Sequence, residues 1–153
     1  MGKGKGKSIM VSGGDGGHGN NTTHLPADSS TVRILLCDTN ADSCRHVFHL
    51  LTQCSYQVAL VTSRAQLFDT LRSEGSCMDI ILVEIAILIA NESSIMRYIK
   101  RDVRLKHVPV IMMVTNEEVS LIRKGLGFGA ADYLVKPLNI HEIKDLGFHI
   151  KKN

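Results

Sequence analysis

The sequence predicts an α/β domain built on a five-stranded parallel sheet with helices on both faces, preceded by a disordered amino-terminal tail. Three observations predict it. From Thr31 onward, short β-rich apolar runs alternate five times with amphipathic stretches of helical period. The apolar runs are nearly continuous rather than alternating, the pattern of strands covered on two faces. Repeated strand–helix units with short connections build a parallel sheet through right-handed crossovers.

Each element follows in chain order. Residues 1–30 hold GKGKGK, GGDGG and NNTT and few sizeable apolar residues, among them Met10, Val11 and Leu25. Such a segment buries too little surface to offset its ordering entropy, so it reads as tail, and residues 31–150 read as the domain. Val32 to Cys37 is the first strand and ends at Asp38; Asp42 to Cys54 follows as a helix, with Val47, Leu50, Leu51 and Cys54 on one face. Tyr56 to Val61 is the second strand. Ser63 and Gln66 have capping-box spacing for a helix carrying Leu67 and Leu71, which Gly75 is placed to end. Asp79 to Val83 is the third strand, and Ile95 to Ile99 belongs to a third helix. Val108 to Val114 is the fourth strand, with Pro109 at its start where a missing N–H is tolerable. Asn116 is placed to cap a fourth helix from Glu117 to about Gly125. Ala131 to Val135 is the fifth strand, and Asn139 with Glu142 opens the last helix. Gly125 and Gly127 in the fourth helix and Gly147 in the last each cost about 1 kcal/mol against alanine, which predicts a loosely held face.

Composition excludes several functions. The formal charge of +3 is slight, Lys3, Lys5 and Lys7 in the tail match it in number, and there is no tryptophan. Without a basic stripe interleaved with aromatics, direct nucleic-acid binding is not expected. Cys37, Cys44, Cys54 and Cys77 form no CxxC pair and follow no secretory signal, so they read as free thiols in a reducing compartment. The longest apolar run, Ile80 to Ala90, is broken by Glu84 and too short to span a bilayer. A soluble intracellular chain is expected, without membrane contact.

Apparent motifs fail on context. Gly14, Gly16 and Gly19 match a dinucleotide fingerprint as a string but follow no strand and open no helix. Gly6-Lys7-Ser8 lacks the first glycine of a P-loop. His46 and His49, one helical turn apart near Cys44, supply too few ligands for a metal and read as surface residues. No serine, histidine and carboxylate grouping suggests hydrolysis. Neither an enzyme, nor a cofactor, nor a bound metal is expected.

In parallel α/β sheets the functional site lies beyond the carboxyl ends of the strands. Here those ends bring Asp38, Glu84 and Lys136 together. Val32-Arg-Ile-Leu-Leu-Cys-Asp38, Asp79-Ile-Ile-Leu-Val-Glu84, Val108-Pro-Val-Ile-Met-Met113 and Gly129-Ala-Ala-Asp-Tyr-Leu-Val-Lys-Pro137 resemble the receiver domain of response regulators over essentially all of the body. Cys54-Ser-Tyr-Gln-Val58 and Met96-Arg-Tyr-Ile99 are similar to plant clock-associated pseudo-response regulators, particularly the timing-of-CAB-expression type. The resemblance implies a flavodoxin-like receiver fold and a nuclear transcriptional regulator of circadian rhythm. It also implies a cis peptide bond at Pro137 and a switch aromatic at Tyr133. Such regulators usually carry a carboxy-terminal CCT motif. None lies before Asn153, so the sequence reads as a fragment or a short diverged relative.

Against the receiver pattern, the phosphoryl site is dismantled. A working receiver holds magnesium with two adjacent acids after strand one and an aspartate after strand three, and that ion neutralises charge as the aspartate takes a phosphoryl group. Thr39 stands at the second acid, and Glu84 stands at the acceptor. The extra methylene of glutamate displaces the reacting oxygen by about 1.5 Å, enough to spoil catalytic positioning. Val114 occupies the position of the hydroxyl at the end of strand four, and the neighbouring Thr115 should point away. Leu88 replaces the proline of the loop after strand three, while Lys136 is retained.

The resulting expectation is a phosphorylation-independent interaction module. Glu84 is expected to form an ion pair with Lys136, tying strands three and five together; two roles stay open for the pair, a permanent mimic of the activated charge state or simple stabilisation of an inherited fold. Protein partners or a second copy are expected on the fourth helix, fifth strand and last helix, with Leu121, Ile122 and Leu126 as apolar candidates. Two other classes compete with this one. The first is a genuine phosphorelay receiver, fed by a histidine kinase or phosphotransfer protein; the second, a small cofactor binder, lacks a phosphate-cradling loop after strand one.

Overall fold

The computed structural model describes residues 31–150. The predicted tail, its two glycine-rich strings and residues 151–153 lie outside the described residues. Five strands, β1 (Arg33–Cys37), β2 (Gln57–Val61), β3 (Ile80–Glu84), β4 (Val110–Val114) and β5 (Asp132–Val135), form one sheet in the order β2-β1-β3-β4-β5. Every pairing is parallel. The connections are α1 (Ala41–Gln53), α2 (Arg64–Glu74), α3 (Ile85–Arg101) and α4 (Ile122–Gly127), and α5 (Ile140–Lys144) follows β5.

Side-chain alternation divides the core into two layers. Leu35, Cys37, Ile81, Val83, Met112 and Val114 face α2 and α3 through Leu67, Leu71, Ile95 and Ile99. Ile34, Leu36, Ile80, Leu82, Ile111 and Met113 face α1 and α5 through Val47, Leu51, Ile143 and Leu146. Because each strand is packed on both faces, the sequence shows continuous apolar runs. Tyr56 ties the second layer together, its buried hydroxyl donating to the Ile143 carbonyl at 2.9 Å.

Helix starts follow the capping residues closely. Asn40 caps α1, its Oδ1 accepting the Ser43 N–H at 2.9 Å. Ser63 accepts the Gln66 N–H, but the Gln66 carbonyl bonds the Thr62 N–H at 2.7 Å, one residue further back than a capping box requires. Asn139 and Glu142 make the full reciprocal pair, at 3.0 and 3.1 Å.

Several expectations are corrected. No loop follows β3: α3 starts at Ile85 directly from Glu84, so Leu88 is a fully buried helical residue rather than a loop residue. Ile85 and Leu88, three apart, both point into the core. Downstream, α3 is interrupted where Asn91, Glu92 and Ser93 adopt φ of 55°, 55° and 54°. Left-handed backbone costs roughly 1–2 kcal/mol per L-residue. Two bonds hold the turn: the Ser93 hydroxyl donates to the Leu88 carbonyl at 2.7 Å, and the Arg97 guanidinium donates to the Glu92 carbonyl.

The fourth connection begins as a 3₁₀ turn over Asn116–Leu121 and becomes α-helical only at Ile122. Its start is set by Thr115 rather than Asn116, with the Thr115 N–H donating to Glu118 Oε1 at 2.9 Å. Gly125, expected to weaken this helix, permits its packing: a Cβ there would sit 2.1 Å from Met112 Sδ. The last helix is short, and Gly147 lies in the 3₁₀ turn Asp145–His149 that follows it.

Candidate functional site

Register places the site. Cys37 pairs with Val83, so Asp38 emerges beside Glu84 at the ends of β1 and β3. Val114 pairs with Val135, which brings Lys136 to the same edge. The Lys136–Pro137 peptide is cis.

Asp38 is fully buried, and both of its carboxylate oxygens are hydrogen-bonded. Oδ1 accepts the Asn40 N–H at 3.0 Å, and Oδ2 accepts the Ser43 hydroxyl at 2.6 Å. The Lys136 ammonium donates to the same Oδ2 at 3.1 Å, with the lysine side chain 14% exposed. Burying a charge is costly unless it is paired and hydrogen-bonded, and Asp38 is both.

The expected Glu84–Lys136 ion pair is therefore corrected: the lysine is taken by Asp38. Glu84 Oε1 instead accepts the Thr39 N–H at 2.5 Å. Thr39 thus contributes its backbone where a second acid would contribute a carboxylate. Ser43 and Asn40 were missed by sequence reasoning, which weighed the strand ends and not the first turn of α1. Their signal was nevertheless present, since Asn40 has the residue type of an N-cap and its place two residues after Asp38 puts the first turn of α1 at that acid.

Val114 is buried in the core layer beside α3, and the hydroxyl of the following Thr115 caps the turn that leaves β4. Tyr133 is 39% exposed on β5. The negative charges nearby act on Cys37: burial first, then Glu84 and Asp38, push its thiol up to about 12. Burial also raises the Cys44 thiol. His46 and His49 are exposed while Cys44 is buried, so the three do not converge.

The donor set departs from a receiver's magnesium site: the Lys136 ammonium and the Ser43 hydroxyl share Asp38 Oδ2, Thr39 stands at the second carboxylate, and Glu84 Oε1 accepts a backbone N–H. Magnesium is held by one or two carboxylates together with waters, and this edge offers it one acid fewer than a working receiver does. Among the described residues no cluster of three metal-ligating side chains exists, and no helix is long and apolar enough to cross a membrane.

Comparison with known proteins agrees with this fold. Residues 34–146 match the family described as response regulator receiver domain. The chain is 50% identical over 123 residues to the two-component response regulator-like protein APRR1 of Arabidopsis thaliana, covering 80% of this chain and 20% of that protein. It is 44% identical over 123 residues to the response regulator-like PRR1 of Oryza sativa subsp. japonica, covering 80% of this chain and 24% of that one. The chain thus spans a fifth to a quarter of the length of these relatives. The chemotaxis response regulator CheY4 of Vibrio cholerae has the same fold, with a TM-score of 0.66 at 19% identity over 78% of this chain and 99% of that one. The chain belongs to the response regulator receiver domain family and stands there with the plant response regulator-like proteins.

Proposed function

We propose that this domain signals by binding other proteins, independently of phosphoryl transfer, within a nuclear transcriptional regulator of the plant clock type. The observation that carries the reading is the Asp38 shell: its oxygens accept from the Lys136 ammonium, the Ser43 hydroxyl and the Asn40 N–H, which engages the retained lysine with a buried acid of its own chain. Glu84, standing at the acceptor position, is tethered to the Thr39 backbone. A glutamate held away from the lysine does not reproduce the charge arrangement of an activated receiver, so a permanently inert site describes it better than a phosphomimic.

The partner face is assigned to the segment before α4, to α4 itself, and to β5 and α5. Val119, Leu126 and Tyr133 are exposed there, whereas Leu121 and Ile122 pack partly into the core. Exposed apolar side chains along these segments are the candidate contacts for a protein partner. The nuclear and clock roles rest on likeness to the plant relatives. Sedimentation of the chain, with and without acetyl phosphate and magnesium, tests the independence. An unchanged association state supports it, and a donor-dependent shift contradicts it.

A further inference from the structure

The cleft between α2 and α3 holds chemistry that the strand-end site does not use. It is a shallow, open cleft of about 520 Å³ lined by Arg64, Phe68, Ser94, Arg97, Tyr98 and Arg101. Phe68 and Tyr98 meet edge to face with centroids 5.6 Å apart, an apolar surface within the lining. The Arg64 guanidinium lies 5.0 Å over the Phe68 ring and donates to the Ser94 hydroxyl. Its Nε is buried and has no hydrogen-bond partner. Arg97 and Arg101 are exposed beside it. The one carboxylate on the lining, Asp102, is already paired with Arg104 at 3.1 Å. Three arginines therefore line one cleft, Arg97 also donating to the Glu92 carbonyl, without an uncommitted counter-charge from its walls.

We propose that this cleft binds a phosphorylated serine or threonine in an extended segment of a partner protein, a proposal that rests on the interaction-module reading. A single carboxylate offers one charge, too little for three guanidiniums. A phosphoryl ester carries about −1.5 to −2 charges and three acceptor oxygens. Guanidiniums bind such oxygens through paired N–H groups, and arginine stacked on an aromatic ring is suited to that geometry. Ser94 Oγ accepts from Arg64 and keeps its own hydrogen to donate to the ligand. The Phe68–Tyr98 pair offers apolar contact to the neighbouring partner residue. The tail of this chain is not the occupant, because it sets Lys3, Lys5 and Lys7 against Asp15 and Asp28 and shares the sign of the cleft.

The test uses the full 153-residue chain, isotopically labelled for amide NMR. Four probes are titrated: the peptide Ala-Ala-Leu-phosphoSer-Leu-Ala-Ala, its serine and glutamate counterparts, and a short DNA duplex. The phosphopeptide is expected to shift the amides of Phe68, Ser94 and Tyr98 saturably and to bind at least about tenfold more tightly than either counterpart. Arg97→Ala with Arg101→Ala is expected to weaken it by about tenfold or more. Arg101→Glu alone disturbs no hydrogen bond or ion pair seen among the described residues, so it keeps the result interpretable if the Arg97 change loosens the turn at Glu92. Equal binding of the glutamate or serine peptide, preference for DNA, shifts confined to another face, or full binding by Arg101→Glu would each overturn the proposal. None of these variants touches Asp38, Glu84 or Lys136. A negative result here therefore leaves the strand-end reading standing, and phosphoryl labelling of the strand-end site would leave a positive result here intact.

Discussion

The Lys136 ammonium lies 3.1 Å from Asp38 Oδ2, across the sheet edge from the Glu84 side chain that its position suggested as partner. That single contact separates two descriptions of the domain. With Lys136 on Glu84, the lysine would sit where it meets a charged acceptor. With Lys136 on Asp38, the pair closes a buried network that includes Ser43 and the Asn40 N–H. Glu84 is left on the rim, bonded to the Thr39 backbone.

The two acids should therefore respond differently to substitution. Lys136→Ala strands a fully buried carboxylate, and such losses typically cost about 3–5 kcal/mol. Glu84→Gln keeps an oxygen for the Thr39 N–H and should cost about 1 kcal/mol or less. Urea unfolding of both variants checks the order. A larger loss for Glu84→Gln would show that the network is centred on the wrong acid.

Stability should fall at alkaline pH. Cys37 and Tyr56 are both pushed up to about 12, chiefly by burial, from ordinary values near 9 and 10. Between about pH 9 and pH 12 the unfolded chain releases these protons while the folded chain keeps them. Fewer protons bound in the unfolded state makes the slope of stability against pH negative across that window. Unfolding midpoints at pH 8, 9 and 10 should decline, and Cys37→Ser should flatten the decline. In alkylation at pH 8, exposed Cys77 should react well before buried Cys37.

Gly125→Ala tests the packing of α4. On helix propensity alone the change would stabilise by about 1 kcal/mol. The added carbon would collide with Met112, so overpacking should dominate and cost about 1–3 kcal/mol, read as a lowered midpoint. Met112→Ala in the same chain should recover part of that loss.

Much of this was legible before any coordinates. The strands were visible because burial on both faces removes alternation, and their order put Asp38, Glu84 and Lys136 at one edge by topology alone. The ends of the elements were harder. Ile80 to Ala90 is one apolar run, and a strand and the first turns of a buried helix satisfy it equally, which hid the start of α3 at Ile85. The choice of partner for Lys136 was not legible either. Asp38 and Glu84 are adjacent across β1 and β3, and what favours Asp38 is the α1 hydroxyl and N–H that complete its shell. Those groups belong to a helix cap, a feature read for its effect on the helix and not for where it points.

The central claim is that the strand-end site does not accept a phosphoryl group, and intact-mass spectrometry tests it most directly. The purified chain would be incubated with excess acetyl phosphate and magnesium, beside a Thr39→Asp, Glu84→Asp double variant. The account predicts an unchanged mass for the natural sequence at every time point. A stable gain of one phosphoryl group by the natural sequence, lost on Glu84→Gln, would contradict it.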